Sequence, residues 1–259
     1  MSKNNQSSDK VLRFRSSEIQ LHWAIAIPFM VCYASAFVMV VAYGPNPEWP
    51  FREVFSWMHR ISGVCLFILP LFVIVKSRVD SKIFIYNIKN AWAWCTDDVQ
   101  FLCLMGLEAF NKKIKLPEQG KFNAAEKLNF MVLISTYPLY IITGTIMWIT
   151  NKALITWLIH FGMAIIATPL MFGHIFMATV NPETRVALPG MINGLVDRHF
   201  VKHHHGKWYK EEFGEDEEPE GYQEENNMPE GPDIGEYKQT YGLKAESDAK
   251  HIPLVHIVR

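Results

Sequence analysis

Apolar residues in this chain are gathered into four long runs. From Leu21 to Tyr43, Leu128 to Thr150 and Ala153 to Val180 there is no Asp, Glu, Lys or Arg, and from Val54 to Val75 the one charged residue is Arg60. About 20 apolar residues carry a helix across the hydrocarbon core, where every backbone polar group must be satisfied within the segment. The pattern predicts an all-α membrane protein with four transmembrane helices, at about 21–43, 54–75, 128–150 and 153–180.

The segments between the runs differ in character. Residues 1–20 are polar, and Ser16, Ser17 and Glu18 suit the start of the first helix. Pro45, Pro47 and Pro50 mark a short turn over 44–53, and Asn151 and Lys152 a tighter one. Ile83 to Phe110 mixes Trp92, Trp94, Phe101, Leu102 and Leu104 with charges, as an interfacial helix does. Within the juxtamembrane stretch 181–210, Leu188, Met191, Ile192, Leu195, Val196 and Phe200 recur at three- and four-residue spacing. They predict a cytoplasmic surface helix starting near Pro189, with Arg198 and Lys202 on its polar side. Between Glu211 and Glu236 there are twelve Asp or Glu and no Lys or Arg, so 211–259 reads as an acidic C-terminal extension, disordered or bound to a partner. Its last apolar stretch, Ile252 to Val258, is either a docking strand or a loose tail.

A formal charge of −1 conceals a strong asymmetry. Lys and Arg number four in residues 1–20, nine from Lys76 to Lys127 and five from Asn181 to Lys210, against Arg52 and Lys152 alone in the other loops. The positive-inside rule then places both termini and the long middle loop of this multi-pass protein in the cytoplasm. Arg13 and Arg15 before the first run, with Ala34-Ser35-Ala36 inside it, imitate a signal peptide. The run continues to Tyr43, however, and cleavage would discard a whole span. Cys32, Cys65, Cys95 and Cys103 form no CxxC or CxxCH, which argues against covalent haem attachment and an iron-sulfur cluster within this chain.

The candidate chemistry lies in four histidines. His22, His59, His160 and His174 sit in or at the edge of the apolar runs, and each has a small residue four positions later: Ala26, Gly63, Ala164 and Ala178. An imidazole in a membrane is costly without a ligand or partner. A small residue at i+4 shares its helical face and lets a flat macrocycle lie close to the backbone. Gly162 and Gly173 ease that approach further. With the N-terminus inside, His22 and His174 fall near the inner surface and His59 and His160 near the outer one. The 14 residues from His160 to His174 correspond to about 21 Å of rise and about 40° of rotation, so both leave one helix face. Two stacked b-type haems are expected, each held by two imidazoles and therefore suited to electron transfer. Arg60 either neutralises a haem propionate or snorkels to the interface. A metal transporter and a haem-free anchor are the competing classes. The first lacks acidic or thiolate companions in the spans, and in the second the histidines are incidental. No nucleic-acid partner is expected.

The sequence also resembles the cytochrome b (gamma) subunit of respiratory membrane-bound formate dehydrogenases, a four-helix di-haem family. The matching residues are Leu21-His22-Trp23, His59-Arg60-Ile61-Ser62-Gly63, the GKFNAAEK stretch Gly120 to Lys127, Ile159-His160, His174, and Lys202 to Tyr209. The resemblance runs from about residue 12 to 213. It implies that His59 and His160 hold an outer haem and His22 and His174 an inner one. It further implies that electrons arrive from a molybdenum or tungsten catalytic subunit through an iron-sulfur subunit, and that menaquinone or ubiquinone is reduced near the inner face. On this basis the chain has no catalytic residue for substrate dehydrogenation, and the GKFNAAEK stretch lines the quinone site with Asn123 as its polar contact. Ala125 and Glu126 depart from the Gly and Gln common in the family. Glu126 is either a proton relay or a carboxylate favoured at a helix start. Related subunits serve hydrogenases and thiosulfate reductases, which are the alternative donors. The triplet His203, His204, His205 is assigned a structural or lipid-headgroup role.

Overall fold

The computed structural model describes residues 10–44, 46, 48, 50–150 and 154–214. Pro45, Pro47, Lys152, the acidic extension from residue 215 and its apolar end lie outside the described residues. Four helices are long and apolar enough to cross a membrane: α1 (Ser16–Val41), α2 (Arg52–Lys76), α5 (Ala124–Thr150) and α6 (Leu154–Thr179). Between α2 and α5 run α3 (Ser81–Trp92) and α4 (Thr96–Glu108). After α6 come α7 (Gly190–Asn193), α8 (Arg198–His204) and α9 (Gly206–Phe213). Strand β1 (Lys10–Leu12) precedes α1, and β2 (Leu195–Asp197) lies between α7 and α8. Two compact units result: one holds α1, α2 and the adjoining halves of α5 and α6 (136–164), the other β1, residues 82–135 and residues 165–214.

In the first unit α1 packs along α2. Phe37, Phe67 and Phe72 are exposed on these helices, as expected where lipid and not water surrounds the protein. Each spanning helix contains a proline: Pro28, Pro70, Pro138 and Pro169. A proline has no N–H for the carbonyl four residues earlier, and a bilayer offers that carbonyl no water. For Pro70 the freed carbonyl belongs to Leu66, and the Tyr137 hydroxyl of α5 donates to it.

The second unit differs from the sequence expectation. The predicted cytoplasmic surface helix over Leu188 to Phe200 is a succession of short elements, because Gly194, at φ 85°, ends α7 in the left-handed region. The chain then extends as β2, antiparallel to β1 with Val11 opposite Val196. Asp197 restarts a helix by accepting from the Phe200 N–H at 2.9 Å. Val196 and Phe200 are buried with Val11, Val201, Trp208 and Tyr209 in a small protein core, so these apolar residues face protein and not lipid. Helix α9 runs on to Phe213, past the 210/211 boundary read from composition. A Cβ added to Gly194 would lie 2.2 Å from the Phe14 carbonyl oxygen. Gly194→Ala is therefore expected to cost at least about 2 kcal/mol, read as a lower thermal unfolding midpoint in detergent.

The single interfacial helix expected over Ile83 to Phe110 is likewise two helices. The break is at Cys95, whose N–H donates to Asp98 Oδ2 at 2.9 Å and starts α4. Asp98 also pairs with Lys127 of α5, Nζ lying 2.9 Å from both carboxylate oxygens and 2.9 Å from the Ala93 carbonyl. Both side chains are buried.

Candidate functional site

His59 leaves α2 two turns from its start, and His160 leaves α6 at a similar distance from its own start. Their ring centroids are 6.1 Å apart, with ring planes crossing at 68°. Each ring is tied at Nδ1. His59 Nδ1 lies 2.9 Å from the Cys32 carbonyl oxygen of α1, with Ser35 Oγ at 3.3 Å. A carbonyl only accepts, so Nδ1 carries the proton. His160 Nδ1 lies 2.9 Å from Thr143 Oγ1 of α5. The Thr143 hydroxyl donates to the Leu139 carbonyl at 2.6 Å, so toward His160 it accepts, and this ring too is the Nδ1–H tautomer. Both Nε2 lone pairs are left for a ligand.

This donor set fits haem iron. Metal–imidazole bonds are about 2 Å long and the ring centre lies about 1 Å behind the nitrogen, so two imidazoles on opposite sides of one ion need centroids about 6 Å apart. A ligating histidine typically donates its second N–H to a carbonyl or another fixed acceptor. Space is available as well: a Cβ built on Gly63, one turn beyond His59, meets nothing within 4 Å. Arg60 sits in a corner of two indoles, its guanidinium carbon 5.5 Å from the Trp57 ring centre and 5.7 Å from that of Trp148.

His22 belongs to the same unit as this pair and His174 to the other. The His22 ring meets Trp23 edge-on at 5.3 Å. His174 stands five residues before the end of α6.

The GKFNAAEK stretch opens α5, and Asn123 and Glu126 cap it reciprocally. Asn123 Oδ1 accepts from the Glu126 N–H, and Glu126 Oε2 from the Asn123 N–H, both at 2.9 Å. Arg13 Nη2 lies 3.1 Å from both Glu126 oxygens and donates to the Lys121 carbonyl at 2.8 Å. Lys121 itself reaches Asn87 of α3 at 2.8 Å. On another side His205 Nδ1 donates to the Gly120 carbonyl at 2.9 Å. Burial, reinforced by the Arg13 charge, pushes the pKa of His205 down to about 3, so it is a neutral donor at physiological pH. His204 stacks on Phe200, ring centres 4.3 Å apart. The structural role assigned to the triplet thus rests on its second and third members, His203 being exposed.

Sequence reasoning gave no site role to Arg13, Ser35 or Thr143. The two hydroxyls carried a usable signal, since each is a polar group within a charge-free apolar run. Arg13 carried none: its partner is 113 residues away.

Two curated relatives are similar over most of the chain. The cytochrome b556(Fdn) subunit of nitrate-inducible formate dehydrogenase from Escherichia coli (strain K12) is 25% identical over 224 residues, covering 79% of this chain and 92% of that protein. The formate dehydrogenase cytochrome b556 subunit of Haemophilus influenzae is 24% identical over 228 residues, 82% and 88% of the two chains. The prokaryotic cytochrome b561 family matches residues 13–194, a range that takes in all four spanning helices and all four of the histidines above. The chain belongs to that family and is a multi-pass, haem b-binding membrane cytochrome.

Proposed function

We propose that the chain is the di-haem cytochrome b subunit of a formate dehydrogenase complex, carrying electrons from an iron-sulfur subunit at the outer face to the quinone pool near the cytoplasmic face. The observation that carries this reading is the His59–His160 pair, with both Nδ1 protons committed and the rings at the separation one iron requires. The names of the curated relatives support formate as the donor system. Loop charge supports the orientation, with both termini cytoplasmic.

On this reading His59 and His160 hold the outer haem and His22 and His174 the inner one. Haem b between two imidazoles supplies reversible one-electron transfer and keeps no open position for oxygen. Two indole faces hold the Arg60 charge without using its N–H donors, which remain for a propionate. Asn123 and Glu126 line the quinone site, and their mutual capping with Arg13 fixes the loop that faces it. Glu126 has its carboxylate on Arg13 and at the helix start, which favours the positional role over proton relay.

The test is haem quantitation with reduced-minus-oxidised spectra on the purified complex. Two haem b per chain are expected, both reduced by formate, and a ratio far from two would overturn the di-haem assignment. Two haems that formate leaves oxidised while another donor reduces them would overturn the choice of complex.

A further inference from the structure

The two imidazoles of the His59–His160 pair are anchored by different chemistry. His59 donates to a backbone carbonyl, that of Cys32, with the buried Ser35 hydroxyl beside it. Ser35 Oγ is itself fixed by donating to the Val31 carbonyl at 2.7 Å. The anchor of His160 is a side chain, the buried Thr143 hydroxyl on a neighbouring helix. Because Thr143 donates to Leu139, its lone pair has one direction in which to face the ring. The Tyr140 carbonyl is a second acceptor close to the same ring.

We propose that Thr143 is a positioning residue for the haem held by this pair: its hydroxyl favours the Nδ1–H tautomer of His160 and fixes the rotation of the ring, holding the two imidazole planes crossed at 68°. This rests on the reading of His59 and His160 as ligands of one iron. Two consequences follow for the protein's own groups. Crossed imidazole planes make the oxidised low-spin haem strongly anisotropic, with one g value well above that given by parallel rings. Donation from Nδ1–H to the hydroxyl makes the imidazole a better donor and favours the oxidised state, so loss of that acceptor raises the midpoint potential.

The experiment compares wild type, Thr143→Ser and Thr143→Val in the intact complex, using electron paramagnetic resonance of the oxidised protein and an optical redox titration. Serine keeps the hydroxyl and is expected to reproduce the wild-type signal and potential. Valine keeps the shape but removes the hydroxyl acceptor. The ring then turns, and the largest g value of one haem shifts. The midpoint of that haem rises, its retention on dilution weakens by roughly tenfold or more, and the second haem is unchanged. If the valine variant does not accumulate, Thr143→Ala is expected to give shifts of the same direction. Valine or alanine with an unaltered signal and potential, in a complex holding both haems, overturns this proposal alone. A wild-type complex with one haem or none overturns the ligand assignment beneath it.

Discussion

His174→Ala is expected to abolish quinone reduction by the complex while one of the two haems stays in place and is still reduced by formate. If His22 and His174 hold the inner haem, as proposed, the substitution would remove one of its two imidazoles and leave His22 alone. A haem held by one imidazole beside a new cavity loses both its low-spin character and much of its affinity. The pair at the other end of α6 keeps its anchors, Cys32, Ser35 and Thr143, none of which lies near residue 174 in sequence. Potentiometric titration should therefore lose one b-type component and retain the other, with quinone turnover near zero. His59→Ala gives the mirror image: formate no longer reduces the complex, whereas added quinol still reduces the haem that remains. Loss of the same component in both variants would overturn the pairing by depth.

Asp98→Ala is expected to be among the most destabilising single changes outside the four histidines of the spans. Lys127 is buried and its ammonium rests on Asp98 and the Ala93 carbonyl. Removing the carboxylate leaves a buried charge with one neutral acceptor, a loss of about 3–5 kcal/mol in comparable cases. The apparent unfolding midpoint in detergent should fall by roughly 10 °C. Burial opposes ionisation of Asp98, but hydrogen bonds from Lys127 and the Cys95 N–H outweigh it, and its pKa falls below the ordinary 3.8. A carboxylate with a depressed folded pKa contributes its full stabilisation above its unfolded value and loses it as pH drops through the folded one. Wild type and variant should thus differ at pH 7 and converge only on acidification below about 4. The double variant Asp98→Leu/Lys127→Met, which removes both charges, should recover most of the loss. If it is as unstable as Asp98→Ala, the damage comes from packing and not from the stranded ammonium.

The spanning helices were legible because uncharged runs of that length have few other uses, and the structure moves their ends by five residues or fewer. The shifts have local causes. Helix α5 starts at Ala124 and not Leu128 because Asn123 and Glu126 cap it, a polar device outside the apolar run. The closeness of His59 and His160 was legible because loop charge gave each an expected height and equal heights made a pair, the same pairing that the family resemblance implies. The segments outside the spans resisted the same reasoning. Leu195, Val196 and Phe200 have the spacing of a lipid-facing helix, yet Val196 and Phe200 are buried against Val11 in a contact that no local periodicity contains. Thr143 and Ser35 were missed for a different reason. Isolated hydroxyls in a span usually bond to their own helix, as these also do, so their signal in the apolar runs did not name an imidazole as the second partner.

The β1–β2 ribbon places a constraint on biogenesis. Lys10 to Leu12 emerge from the ribosome before any span, but their hydrogen-bonding partners, Leu195 to Asp197, are made only after the last span is complete. Until then Val11, buried in the finished protein with Val196, Phe200 and Val201, lacks the core it packs into. The ribbon is thus a clasp that closes late, joining a segment before the first span to one after the fourth, and its non-local pairing is of the kind that forms slowly. A chain arrested before residue 195 would leave that clasp open, with an unpaired strand edge and exposed apolar side chains of the sort that quality-control proteases and chaperones engage.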